Sequence, residues 1–369
     1  MTSAKAVFTT TCTGILTGLA LLLTSCENTG VGPSDTWDRA AMLEHQTSHF
    51  IVPAFQAYSD AAAHLDEAAG AFATTADQAH FDALEDALLS AYIAWQSVSF
   101  IEVGPSESVA LRYRTNTYPT DTATVLTTAM QYTGNSAPNF ELPSTYDQQG
   151  LPALDYLIHG NTLAELQASS EITGYIARLA TEVATLAQTA ANDWATQAES
   201  FASDAGTSAS APTNKLANDF VFHFEKELRA GKVGIPAGVF SSVTFPEKVE
   251  ARYSGDSKAL FLASLRAHQM FFSGTAYDSL STGPSFAGYL DHLDIKEGIV
   301  MLSDRIIGTF EGARSLAAAI DTTFEEQTRD DAMRMLELYD ELQRGVVLAK
   351  VDMMQAMNIK VDYVDADGD

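Results

Sequence analysis

Residues 150–160 read GLPALDYLIHG, and the reading of this stretch decides the fold. Two glycines bound it, and inside lie one carboxylate (Asp155), one phenol (Tyr156) and one imidazole (His159). Leu151, Leu154 and Ile158 fall at i, i+3 and i+7, the spacing of a packed helix face. Pro152 in the first turn costs no hydrogen bond, because the N–H it lacks would have no partner inside the helix. Gly150 permits a sharp entry. The stretch therefore predicts a helix start, with Asp155 close enough to the N-terminus to meet the positive end of the helix dipole.

The same periodicity extends outward in both directions. Upstream, Val52, Phe55, Ala62, Leu65, Ala69 and Phe72 mark one buried helix face. Phe81, Leu84, Leu88, Tyr92 and Trp95 mark a second helix over 79–103, closed by Gly104-Pro105. Downstream, a helix over 170–201 carries Ile172, Ile176, Leu179, Val183, Leu186 and Trp194, and further helices fit 214–230, 255–272, 286–320 and 326–357. Residues 133–149 read as loop, and alternating strand-like runs are nearly absent. The expected fold class is all-α: two packed helical bundles, 37–202 and 214–369, joined by the small, polar, proline-bounded linker 203–213.

The N-terminus bears on location. Lys5 precedes an uncharged run from Val7 to Leu23, followed by Leu23-Thr24-Ser25-Cys26. This reads as a secretory signal over 1–25 whose end resembles the lipobox of bacterial lipoproteins, with Cys26 as the acylated first residue and 26–36 as a polar tether. Stable attachment takes more than one acyl chain. Cys12 is the only other cysteine, so the folded body has no disulfide, no Cys nucleophile and no Cys-based zinc site. The formal charge is −27, and because Lys5 is the only charge in 1–25 its removal gives −28. Nucleic acid is excluded as a partner, since duplex binding rests on Lys and Arg neutralising phosphates. Cationic partners or metal ions suit this charge, and solubility accounts for it equally well.

Several clusters compete as chemical sites. His45 and His49 share a helix face at i,i+4 but lack the glutamate of a zinc-peptidase helix, so a solvated helix end is expected. His64 and Glu67 point off the buried stripe. His223, Glu225 and Glu227 lead into KVGIPAG (232–238), with His223 and Glu227 on one face at i,i+4. The closing Asp365-Ala366-Asp367-Gly368-Asp369 cannot be an EF-hand, because its glycine falls too early and the bidentate Glu is missing. No Ser-His-Asp arrangement, P-loop or dinucleotide fingerprint is present.

Taken in order, the segments resemble the imelysin family, the imelysin-like or insulin-cleaving metallopeptidase-like bacterial envelope proteins. The resemblance rests on Ile51-Val52-Pro53-Ala54-Phe55, Ala91-Tyr92-Ile93-Ala94-Trp95-Gln96 with Gly104-Pro105, GLPALDYLIHG and the Tyr175–Trp194 helix. It continues through KVGIPAG, PEKVEARYSGDS (246–257) and VDYVDADGD (361–369). It implies a two-domain helical fold, a cell-envelope location and a link to iron acquisition, and the expected site of the lipid-anchored chain is the outer membrane. The family motif Gly-x-His-x-x-Glu, proposed to bind metal, stands here as Gly150-x-Pro152-x-x-Asp155. Proline offers no ligand, and a catalytic zinc site needs about three protein ligands plus water. The expectation is a non-catalytic lipoprotein that binds iron or another divalent metal, an iron-containing ligand or an iron-uptake protein. Asp155 and Tyr156 lead the candidate binding residues, followed by Glu102, Arg112, Glu225, Lys232, Glu250, Tyr253 and Ser254. A metallopeptidase with a non-standard ligand set and a structural adaptor stay open as alternatives.

Overall fold

Residues 36–134 and 136–363 are described by the computed structural model. The chain divides after Thr36, and everything below belongs to the unit Trp37–Asp369. The signal segment, Cys26, the tether up to Ser34 and Asp35, and the closing Asp365–Asp369 lie outside the described residues.

In chain order the first half contains α1 (Arg39–Gln46), α2 (Val52–Thr74), α3 (Gln78–Trp95), α4 (Pro105–Ser108), α5 (Leu111–Asn116) and α6 (Thr122–Met130). α7 (Gly150–His159), α8 (Leu163–Gln167) and the long α9 (Ser170–Ser203) complete it. The three-and-four spacing is realised in α2, where Phe55, Tyr58, Ala62, Leu65, Ala69 and Phe72 are buried. α9 lies along α2 with a face that includes Ala180, Ala187, Ala190 and Ala191, small side chains that permit close approach. Asp77 and Ser169 accept the N–H groups of His80 and Ile172 and so cap α3 and α9.

Helix α3 ends at Trp95, not at Val103. The following residues have tertiary partners: the Gln96 amide donates to Glu250, and the Ser99 carbonyl accepts from Arg112 Nε.

The second half contains α10 (Pro212–Phe222), which runs on into a π-helical segment, His223–Gly234. Then come α11 (Ser257–Ser273), α12 (Phe286–His292), α13 (Leu302–Ala318), α14 (Phe324–Asp330), α15 (Met333–Val347) and α16 (Met354–Ala356). The helix expected over 286–320 is interrupted by a two-stranded antiparallel hairpin, β1 (Lys296–Glu297) and β2 (Val300–Met301), with Gly298 at φ +66° in the turn. The helix expected over 326–357 breaks at Asp331, and a Thr323–Glu326 capping box starts α14.

The core is continuous across both halves. Phe50 and Phe100 from the first half pack on Phe271 with centroids 5.4 and 5.3 Å away. Each such buried ring is worth on the order of 2–3 kcal/mol relative to exposure. The fold is all-α apart from the small hairpin. Among the described residues no helix is long and apolar enough to cross a membrane.

Candidate functional site

Gly150 opens α7 at φ +75°, and a β-carbon there would lie 2.2 Å from the Thr115 carbonyl oxygen. Only glycine fits. Pro152 occupies the first turn as expected, and Leu151, Leu154 and Ile158 are fully buried. Ala153 and Leu157 are buried as well, so α7 is enclosed nearly all round and not on one stripe.

Asp155 sits in the second turn and does not cap its own helix, which corrects the dipole expectation. Its Oδ2 and Oδ1 accept the backbone N–H groups of Tyr253 and Ser254, each at 3.0 Å. His159 Nδ1 lies 3.2 Å from Oδ1, an ion-pair contact without hydrogen-bond alignment, and His159 Nε2 lies 3.4 Å from Glu85. Burial pulls the His159 pKa down, but Asp155 and Glu85 outweigh it and the net shift is upward. The Tyr156 ring packs against Tyr253 at 5.1 Å. Asp155, Tyr156, Tyr253 and Ser254 therefore do meet, as a clamp between α7 and the 249–256 loop.

A second group centres on Arg112, which is buried. Its Nη2 donates to both Asp219 oxygens at 2.8 Å, and its Nε donates to the Ser99 carbonyl at 2.8 Å. The Arg112 backbone N–H donates to Glu102 Oε2 at 3.0 Å, and the Glu102 N–H donates to Asp219. Burial pushes the Glu102 carboxyl up to about 8 against the pull of Arg112. Burial likewise raises Asp219, again opposed by Arg112.

Lys232 and Glu250 form a third group, a buried ion pair. Glu250 also accepts from Asn116 Nδ2 at 2.7 Å and Gln96 Nε2 at 3.1 Å. Glu225 stands apart from these: it accepts from Lys350 Nζ at 2.7 Å and the Tyr363 hydroxyl at 2.9 Å, with Arg229 and Lys226 of its own segment at 3.7 and 3.9 Å.

The π-helical segment explains the separation. Hydrogen bonding from i to i+5 widens the turn and re-aims the side chains. His223 and Glu227, expected on one face, go to different places. His223 enters the second-half core, with Nδ1 3.2 Å from His268 Nε2, while His268 Nδ1 lies 2.8 Å from the Ser264 carbonyl. A carbonyl only accepts, so His268 carries its proton on Nδ1 and receives one from His223 at Nε2. Both rings are neutral: burial drives His268 down to about 3 and His223 well below the usual histidine range. Glu227 faces a cleft of about 400 Å³ shared with Arg112, Asn116, Tyr118 and Gly231. A second cleft of about 340 Å³ lies on the other group, lined by Glu102, Arg112, Asp219 and Tyr363.

Sequence reasoning missed Asp219, Asn116, Tyr118, Gln96 and His268. Gln96 closes the 91–96 segment that carries part of the family resemblance, the others lie in ordinary helical or loop contexts without a motif, and no local pattern marks any of the five as a polar centre. His45 is also corrected: it is buried, and its Nε2 donates to the Gly274 carbonyl at 2.8 Å, while His49 beside it is exposed. His64 and Glu67 are exposed as expected. No three His, Cys, Asp or Glu side chains converge for a metal among the described residues. The family's metal does not fit at this stretch, because the Pro152 side chain has no ligand atom and the Asp155 oxygens hold two backbone N–H groups.

Solved structures with the same architecture place the fold. An imelysin-like protein from Psychrobacter arcticum superposes with TM-score 0.68 at 17% identity, covering 88% of this chain and 97% of that one. A putative iron-regulated protein A precursor from Parabacteroides distasonis gives TM-score 0.68 at 12% identity, with the same coverage of 88% and 97%. At such identities the likeness is one of fold alone. No curated protein matches the chain. The Imelysin family model matches residues 51–347, a span that includes the Asp155 clamp, the Arg112 group and the Lys232–Glu250 pair. With most of its length matched, the chain belongs to the imelysin family.

Proposed function

We propose that this chain is a binding protein of iron acquisition, anchored in the bacterial envelope through Cys26, and that it does not hydrolyse peptides. The observation that carries this reading is the state of Asp155. The one carboxylate left in the family motif is committed to the Tyr253 and Ser254 N–H groups, and the neighbouring motif histidine is Pro152. A hydrolytic metal would need about three ligands and an open position there. The iron connection is supported by family membership and by a fold relative whose name describes it as iron-regulated. The iron is then carried by a partner protein or an iron-containing ligand, or held outside the motif stretch.

The test is a titration of the metal-free protein with ferrous, ferric and zinc ions, beside a cleavage assay on an unfolded substrate with and without chelator. The expected result is no cleavage, and metal binding, where found, that Asp155→Ala leaves unchanged. Cleavage abolished by chelator overturns the reading in favour of a peptidase. Intact mass of the protein extracted from membranes tests the anchor: acylated Cys26 as first residue is expected, and a Cys26→Ser chain is expected in the soluble fraction.

A further inference from the structure

The cleft of about 400 Å³ beside the π-helical segment holds three polar groups that the fold leaves without partners. Glu227, partly buried, makes no hydrogen bond or ion pair with any described residue, whereas Glu225 and Glu250 on either side of it in the network are fully paired. Asn116 Nδ2 donates to Glu250, which fixes the amide, so that Oδ1 is the unpartnered atom. The Tyr118 hydroxyl is buried and also unpartnered. Gly231 opens the space among them: a β-carbon there would stand 3.1 Å from the Tyr118 oxygen and 3.6 Å from Glu227 Oε2.

Two of these groups, a carboxylate and an amide oxygen, only accept hydrogen bonds. An occupant must therefore donate hydrogen bonds and bring positive charge. A metal ion does not suit, since one carboxylate is far from the three or more ligands it needs. A primary ammonium does, because it has three donors and one charge. Arg112, also in the lining, is already held by Asp219 and Ser99, so it does not neutralise Glu227 by contact. Lys226 and Lys248 line the same cleft and offer a counter-charge to an anionic group elsewhere on the ligand. The volume lies in the range of small-ligand pockets, roughly 300–1,000 Å³.

We infer that this cleft binds small organic amines of the amino-acid type, with the ammonium on Glu227, Asn116 Oδ1 and the Tyr118 hydroxyl. This site is separate from the Asp155 clamp and does not depend on the iron reading. Burial, together with the Glu250 and Asp219 carboxylates, raises the Glu227 pKa against the pull of Arg112 and Lys232, and an ammonium placed beside it would favour the ionised form.

Titration calorimetry of the full chain with ethanolamine, β-alanine and acetate tests the inference. Both amines are expected to bind at one per chain, β-alanine more tightly, and acetate not at all. Glu227→Gln, which keeps the shape and removes the charge, is expected to weaken both amines by about tenfold or more, the loss of one charge-assisted hydrogen bond. Gly231→Ala fills the opening and is expected to weaken them too, with thermal unfolding recorded for both variants to confirm that they are folded. Failure of both amines to bind, equal binding by Glu227→Gln, or unchanged binding by Gly231→Ala would overturn the assignment. So would stoichiometric zinc or ferrous binding that Glu227→Gln abolishes, which would make the cleft a metal site.

Discussion

Asp155 stands at the carboxylate position of the motif stretch and spends both oxygens inside the fold. With both oxygens on backbone N–H groups, its work is to hold the 249–256 loop against α7. Asp155→Ala removes two charge-assisted hydrogen bonds and leaves two N–H groups to find other partners. A loss of about 3 kcal/mol in unfolding free energy is expected, measured by urea titration, since such bonds are worth about 1.5–3 kcal/mol each and are not additive. A change below about 0.5 kcal/mol, the range of ordinary surface substitutions, would show that the clamp is not structural. The identity of Gly150 was legible beforehand as a sharp helix entry. That its φ and the Thr115 carbonyl jointly exclude any side chain was not, because Thr115 is distant in sequence.

At the scale of elements, the π-helical segment His223–Gly234 shapes the polar centre of the molecule. It sends His223 inward and Glu227 outward from positions that a regular α-helix would place on one face. The neutral His223–His268 pair makes a pH prediction. In the folded state both pKa values lie far below about 6.5, the unfolded value, so above that pH neither state binds the extra protons and stability is unaffected. As pH falls through that value the unfolded chain takes up protons that the folded chain refuses, and stability declines. Each histidine contributes a slope approaching about 1.4 kcal/mol per pH unit. Glu102, whose folded pKa is raised to about 8, acts in the opposite sense: its burden grows as pH rises from the unfolded carboxylate value toward 8. Comparing wild type with His268→Gln between pH 7 and 5 cancels the Glu102 part. The variant is expected to lose less stability on acidification, and an identical slope would contradict a neutral native pair.

At the scale of the whole molecule, the halves share one core through Phe50, Phe100 and Phe271 and one charged network through Arg112–Asp219 and Lys232–Glu250. Unfolding of wild type is accordingly expected as a single calorimetric transition. Arg112→Ala strands the Asp219 carboxylate in a largely buried position and is expected to cost about 3–5 kcal/mol, because breaking one partner of a buried pair leaves an uncompensated charge. Two resolved transitions in wild type, or a neutral Arg112→Ala, would contradict this coupling.

The sequence by itself determined the helices with strong apolar periodicity, among them α2, α9 and α11, together with the helix start at Gly150-Leu151-Pro152 and the family. Those features are local: spacing, caps and turn residues act within a few positions of one another. The end of α3 at Trp95, the hairpin inside 286–320, the π-helical segment and the partners of Asp155, Arg112 and Glu250 were decided only in the tertiary structure. The hairpin pairs Lys296 with Met301 and Glu297 with Val300, but the side-chain partners stand about a hundred or more positions apart, as Arg112 with Asp219 and Glu250 with Asn116. Burial makes an unpaired polar group costly, so these long-range partners override the local preference of the chain. The candidate residues were thus visible as types and positions. Whether a carboxylate clamps a loop, as Asp155 does, or faces an open cleft, as Glu227 does, was fixed by what the fold brought against it.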